Sequence, residues 1–130
     1  MAARRPTHKP RTQRPTYDTV RELALLLPGV AESTSYGTPA LKVRGALFVR
    51  LKEDGETIVL RSDSFDREHL LATAPDVFFI TDHYRNYPWV LVRVAATTRA
   101  QLRELLEDAW RRVAPKALIA AHDKTGKPKA

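Results

Sequence analysis

Residues 40–61 read ALKVRGALFVRLKEDGETIVLR. Apolar and polar residues alternate from Ala40 to Arg44 and again from Ala46 to Lys52, with Gly45 between the two runs. A third run, Glu56 to Arg61, follows the turn residues Glu53-Asp54-Gly55. Alternation at period two marks strands with one buried face, and Gly and Asp-Gly supply the backbone freedom of tight hairpins. The stretch therefore predicts a three-stranded antiparallel meander. One face carries Leu41, Val43, Leu47, Val49, Leu51, Ile58 and Leu60; the other carries Lys42, Arg44, Phe48, Arg50, Lys52, Val59 and Arg61.

Downstream, Val77 to Ile80 and Pro88 to Val94 read as two more strands joined by the loop TDHYRNY, residues 81–87. They add Val90, Val92 and Val94 to the apolar face, and Trp89, Leu91 and Arg93 to the basic one. Upstream, Thr16 caps a helix from Tyr17 to about Leu27, in which Val20, Leu23, Ala24 and Leu27 share one face before Pro28-Gly29 stops it. A polar loop follows, up to Pro39. Ser62 to Asp66 supplies caps for a short helix over Arg67 to Ala72, which ends before Pro75. Thr98 and Gln101 form a capping box ahead of Leu102, Leu105, Leu106, Ala109 and Val113; Pro115 breaks that helix, and Lys116 to Ala121 makes one more turn or a short helix. The fold class expected is α+β: an antiparallel sheet of about five strands with the N- and C-terminal helices on one face, a two-layer sandwich.

With 130 residues the chain has the length of one domain, and 22 basic against 15 acidic side chains give a formal charge of +7. That charge sits at the ends. Residues 1–16 carry Arg4, Arg5, Lys9, Arg11 and Arg14 with no acid and three prolines, and are expected to form a disordered basic arm. Residues 121–130 add Lys124, Lys127 and Lys129 against Asp123, as a flexible basic tail. The body, residues 17–120, has fourteen basic and fourteen acidic side chains and is formally neutral. Within it the sign is sorted: Lys42, Arg44, Arg50, Lys52, Arg61 and Arg93 share one sheet face with Phe48 and Trp89 and no acid, while Asp18, Glu22, Glu68, Glu104, Glu107 and Asp108 fall on helices. Cations interleaved with rings suit phosphate contacts and base stacking, so DNA is the expected partner.

Other chemistries find less support. No cysteine is present, which excludes disulfides and thiolate chemistry. No apolar run reaches the ~18 residues of a membrane span, and the first sixteen residues lack the apolar stretch of a secretory signal. A soluble cytoplasmic protein with no membrane partner is expected. His8, His69, His83 and His122 show no metal-ligand spacing, and Ser33 to Pro39 holds a lone Gly37 and no phosphate-loop pattern. The 81–87 loop and its exit gather Asp82, His83, Tyr84, Arg85, Tyr87 and Trp89, a recognition loop by composition; no Ser or Thr nucleophile is tied to His83, so neither catalysis, cofactor nor metal is expected.

Leu27-Pro28-Gly29, Tyr36-Gly37-x-Pro39, Lys42, and His83-Tyr84 leading into Pro88-Trp89-Val90 stand in the segments LPGVAESTSYGTPALKVRGALFVRL and VFFITDHYRNYPWVLVRV, followed by ELLEDAWRRVAPKAL. In these marks the chain resembles the MmcQ/YjbR family of small bacterial proteins over residues 17–123. The resemblance implies an α+β fold of the frataxin/CyaY-like class, one compared with a double-wing DNA-binding module, and it implies DNA binding. It also raises iron binding, which in frataxins uses an acid-rich first helix; here that helix offers only Asp18 and Glu22, so iron is disfavoured. The leading expectation is a non-enzymatic DNA-binding protein using Lys42, Arg44, Arg50, Lys52, Arg61 and Arg93 with Trp89, Tyr84, His83 and Arg85, assisted by the arm. The alternative is a pocket at Tyr36, His83, Tyr84 and Trp89 for an anionic small molecule or a protein partner. An exposed sheet face equally suits a homodimer.

Overall fold

The alternating stretch forms its three strands in a computed structural model that describes residues 14–125. In chain order the elements are α1 (Tyr17–Ala24), β1 (Val30–Ser35), β2 (Thr38–Val43), β3 (Ala46–Leu51), β4 (Thr57–Arg61), α2 (Ser64–Thr73), β5 (Phe78–Phe79), β6 (Trp89–Arg93), α3 (Arg99–Val113) and α4 (Lys116–Thr125). Short 3-10 turns lie at Asp82–Tyr84 and Val94–Ala96. All strand pairs are antiparallel, in the order β1-β2-β3-β4-β6-β5. The chain leaves β4 through α2, lays down the short edge strand β5, and returns so that β6 inserts between β4 and β5.

Six strands form, one more than expected. The addition is β1, whose sequence VAESTS reads as a loop because an outermost strand has no apolar alternation to show. Two hairpins turn through left-handed pairs, Tyr36-Gly37 at φ 55° and 80° and Arg44-Gly45 at φ 51° and 85°. These conformations match the twist of the strands they join. The β3–β4 connection is held differently. The Asp54 carboxylate accepts hydrogen bonds from the amides of Glu56 at 2.8 Å and Thr57 at 2.9 Å, and from the Thr57 hydroxyl at 2.8 Å.

The register of β3 departs from simple alternation. Leu41 faces Val49 but Lys42 faces Leu47, so Phe48 is an extra residue in β3, a β-bulge. Past the bulge the side-chain phase shifts by one. Phe48 is therefore fully buried in the main core, and Leu47 turns to the opposite face, reversing the expected placement of both. Arg50 keeps its expected side, between Ala40 and Val59.

The core lies between the sheet and the two helices α1 and α3, joining Leu41, Val43, Val49, Ile58, Leu60, Val90 and Val92 to Val20, Leu23, Leu102 and Leu106. Trp110 is fully buried there, its indole N–H donating to the Pro28 carbonyl at 2.9 Å. Helix α1 ends at Ala24, a turn earlier than its apolar spacing suggests, and the next residues wind on through hydrogen bonds from Leu26 to Leu23 and Leu27 to Ala24. Helix α2 starts three residues ahead of the expected Arg67, capped by Asp63, whose carboxylate accepts the Asp66 amide at 2.8 Å. The Thr98–Gln101 capping box forms as read, with the Gln101 amide donating to the Thr98 hydroxyl at 3.0 Å.

Helix α4 continues to Thr125, into the segment expected to be a flexible tail. Arg111 bridges it to α3 by pairing with both Glu107 and Asp123. The expected arm, up to residue 13, and residues 126–130 lie outside the described residues. Several helix-layer acids are spent on neighbouring arginines: Glu22 on Arg99, and Asp63 and Asp66 on Arg112. Among the described residues no helix is long and apolar enough to cross a membrane.

Candidate functional site

The sheet face turned away from the helices is not an open basic platform. Its centre is a second, small apolar cluster of Val59, Leu91 and Tyr84, with Phe79, Ile80 and Trp89 packed against it. The 81–87 loop roofs this cluster. A 3-10 turn over Asp82–Tyr84 starts the loop, and Asp82 pairs with Arg85 at 2.7 Å rather than orienting His83. Arg67, reaching across from α2, fixes the rest: one guanidinium nitrogen donates to the carbonyls of Tyr84 (3.2 Å), Tyr87 (2.8 Å) and Trp89 (3.0 Å), the other to Arg85 (2.7 Å). A loop whose carbonyls converge on one cation is held as a unit.

Under the loop edge lies Arg50, only 5% exposed. Its Nη1 donates to the Thr38 hydroxyl at 3.0 Å and the Leu51 carbonyl at 3.2 Å, and its Nη2 to the Tyr84 hydroxyl at 2.9 Å. The Tyr36 ring stands 5.1 Å from the guanidinium carbon, within cation–π range. Among the described residues the one carboxylate near it is Glu53, at 3.6 Å, whose own side chain is 62% exposed. Glu53 also approaches Lys52, at 3.9 Å. A hydrogen bond from its own backbone amide, then Arg50 and Lys52, hold the Glu53 carboxyl below the ordinary glutamate range.

A cavity of about 260 Å³ opens above Arg50. Leu47 and Val59 give it an apolar floor, and Tyr36, His83, Tyr87 and Trp89 give it ring walls. A neighbouring cavity of about 310 Å³ shares Tyr36, Arg50, His83 and Tyr84 and extends past Lys52 and Glu53. His83 meets Tyr84 edge to face at a centroid distance of 4.6 Å. Tyr36 is 81% exposed and keeps its left-handed backbone at the hairpin tip, a conformation that costs a non-glycine residue on the order of 1–3 kcal/mol.

The structure thus divides the expected site residues. Tyr36, Arg50, His83, Tyr84 and Trp89 come together at one cavity, with Lys52 at its extension. Lys42, Arg44, Arg61 and Arg93 do not join them. Lys42 stands opposite Leu47, and Arg44 occupies the β2–β3 turn instead of a strand position. Arg61 lies over the Trp89 ring at 5.6 Å, and Arg93 over the Phe79 ring at 4.2 Å while donating to the carbonyls of Pro75 and Asp76. Arg85 is exposed on the loop, paired with Asp82. Phe48, expected beside these cations, is on the other side of the sheet. The face also has acids after all, because the β3–β4 turn brings Glu53 to Arg50, and Asp54 and Glu56 to the cavity that Arg93 lines.

Three residues of the site carried no warning in the sequence. Leu47 arrives through the bulge, Thr38 through the β1–β2 pairing, and Arg67 from a helix with no apolar stripe to orient it. A separate cleft of about 220 Å³ between α2 and α3 is lined by Asp108, Arg112, Asp66 and His69. Burial pushes the Asp108 carboxyl above the usual aspartate range. Among the described residues no group of three or more His, Cys, Asp or Glu is placed to hold a metal ion.

The YjbR family model matches residues 25–112. Uncharacterized proteins of Mycobacterium tuberculosis (Rv2570) and Mycobacterium bovis (Mb2600) are each 41% identical over 68 residues, covering 52% of this chain and 53% of theirs. The match spans about half the length of these curated relatives. The crystal structure of the Deinococcus radiodurans protein DR2400, a DUF419 domain, superposes with a TM-score of 0.68 at 22% identity, covering 88% of this chain and 90% of that chain. That likeness is one of fold, the α+β architecture described above.

Proposed function

Because the chain belongs to the YjbR family and gathers Tyr36, His83, Tyr84 and Trp89 around one buried arginine, we propose that it is a non-enzymatic binding module that takes an anionic group onto Arg50. The observation that carries this reading is the state of that guanidinium. Removing a charge from water costs several kcal/mol unless a partner of opposite sign and a full set of hydrogen bonds compensate. Arg50 has neutral oxygens on three of its N–H groups, and its one acid stands off at 3.6 Å toward solvent. Its Nε–H and second Nη2 proton meet no acceptor among the described residues. An anion in the cavity completes both the charge and the hydrogen bonding. The non-enzymatic part is supported by His83, which among the described residues has rings beside it and no hydrogen-bonded or ion-paired carboxylate or hydroxyl.

DNA binding is the second reading, favoured by a different observation. Lys42, Arg44, Arg61 and Arg93 have no carboxylate within ion-pair distance among the described residues, and residues 1–16 add five further cations. Four phosphate contacts from the folded body imply a log–log salt slope of about −4.

The two readings separate in one comparison. In thermal unfolding of the full chain, benzoate and phenyl phosphate are expected to raise Tm, because binding to the native state alone stabilises it by mass action. The rise should vanish in Arg50→Gln and persist in Arg61→Ala/Arg93→Ala. A rise that survives Arg50→Gln refutes the arginine site. DNA affinity that falls in the Arg61/Arg93 pair and not in Arg50→Gln supports the second reading.

A further inference from the structure

The cavity's charge and shape narrow what it takes, if Arg50 is the anion site proposed above. We infer that the occupant is a small aromatic carboxylate, one planar ring system bearing a single negative charge, and that it displaces Glu53 from Arg50.

Charge sets the first limit. Arg50 and Lys52 are the cations on the joined cavities, and Glu53 lies within 4 Å of both, at 3.6 Å and 3.9 Å. The three side chains leave one net positive charge. A singly charged anion on Arg50 neutralises it, with the displaced Glu53 staying on Lys52, whereas a phosphate monoester, nearly doubly charged at neutral pH with a second pKa of about 6, brings an unmatched negative charge next to Glu53. Arg61 and Arg93 do not make up the difference, since neither lines the cavity and each is seated on a ring face.

Hydrogen bonding sets the second. Two N–H groups of Arg50 remain for a ligand, and two is the number a carboxylate accepts in paired contact with one guanidinium. A phosphate presents three oxygens, and the further cation on the joined cavities, Lys52, already stands 3.9 Å from Glu53.

Shape sets the third. The space beside Arg50 is floored by Leu47 and Val59 and walled by the rings of Tyr36, Tyr87 and Trp89, surfaces that favour a planar apolar body. Its volume of about 260 Å³ falls below the roughly 300–1,000 Å³ of pockets for drug-sized ligands, and the adjoining space is lined by the polar Lys52, Glu53 and Thr81. One ring system with its carboxylate suits it better than a nucleotide or a peptide. Glu53 can give way at little cost, because its side chain is 62% exposed on a turn.

The test compares three probes of nearly one shape, benzoate, phenyl phosphate and benzamide, titrated into the full chain while Trp89 fluorescence is followed. Trp110, fully buried in the main core, supplies a constant background. Benzoate is expected to bind about ten- to a hundredfold more tightly than benzamide, the worth of a charge-assisted hydrogen bond on a buried arginine. It should also bind more tightly than phenyl phosphate. Glu53→Gln should tighten benzoate about two- to fivefold and phenyl phosphate by more, narrowing the gap between them.

Phenyl phosphate binding as well as or better than benzoate, with both lost in Arg50→Gln, overturns the carboxylate assignment and leaves the Arg50 anion site standing. Benzamide matching benzoate, with Arg50→Gln changing neither, removes both the assignment and the anion site. So does failure of all three probes to bind. Affinities indifferent to Glu53→Gln overturn the displaced counter-ion.

Discussion

Tyr36 is where the cost and the use of a single residue are most easily separated. A two-residue hairpin turn with both φ angles positive favours Asn or Gly at its first position, and this chain has a tyrosine there at φ 55°. Nothing in the fold needs the ring, which is mostly solvent-exposed; what it touches is the Arg50 guanidinium. Tyr36→Asn is therefore expected to stabilise the chain by roughly 0.5–1 kcal/mol in urea unfolding, by relieving the left-handed strain, and to weaken the benzoate-induced rise in Tm. A variant that loses stability and keeps the rise would make Tyr36 a fold residue and not a ligand contact. At this same scale the alternation of residues 46–52 put Arg50 on the correct face. It could not show that the guanidinium is buried, because burial there is produced by Tyr84, thirty-four positions away in the chain.

At the scale of elements, the sequence was most legible where period and punctuation agree. β2, β4, β6 and α3 stand within a residue or two of their expected positions, since alternation, the Thr98–Gln101 box and Pro115 are local signals. β1 leaves no such signal because an edge strand half-exposed on both sides needs no apolar period, and alternation puts Phe48 on the wrong face because a bulge adds a residue without changing composition. The 81–87 loop was recognised by its residues, but its shape belongs to Arg67 on α2. Arg67→Ala should cost about 2 kcal/mol in urea unfolding, a partial loss of charge-assisted hydrogen bonds to carbonyls that water then serves. It should also speed hydrogen exchange at residues 84–89 while leaving α3 protected. Arg67→Lys should recover only part of this, since an ammonium cannot reach four carbonyls in the same geometry. Unchanged exchange in the loop would assign its order to the Val59–Tyr84–Leu91 cluster instead.

For the whole molecule the question is how charge is distributed across two layers. Some helix-layer acids are paired with arginines, Glu22 with Arg99 and Asp63 and Asp66 with Arg112, whereas Asp108 has no ion pair among the described residues and faces a cleft in which burial raises its carboxyl above the usual aspartate range. A folded-state pKa above the unfolded one means the protonated form is favoured by folding, so the contribution is stabilising at low pH and lost as pH rises from the unfolded value toward the folded one. Asp108→Asn should accordingly raise Tm at neutral pH, with the gain shrinking toward zero as pH falls below about 4, the ordinary aspartate range. A gain independent of pH would place its cause in packing and not in charge. The α+β class, most of the main core and the neutrality of the body follow from the order of residues alone, because hydrophobic period, caps and charge counts act over a few neighbouring residues. That the basic face is roofed, that Phe48 and Leu47 exchange sides, and that Arg50 lies at the bottom of a ring-walled cavity emerge on folding. Those outcomes depend on a bulge register and on contacts between β3, α2 and the 81–87 loop, pairings between distant segments to which no local pattern is sensitive.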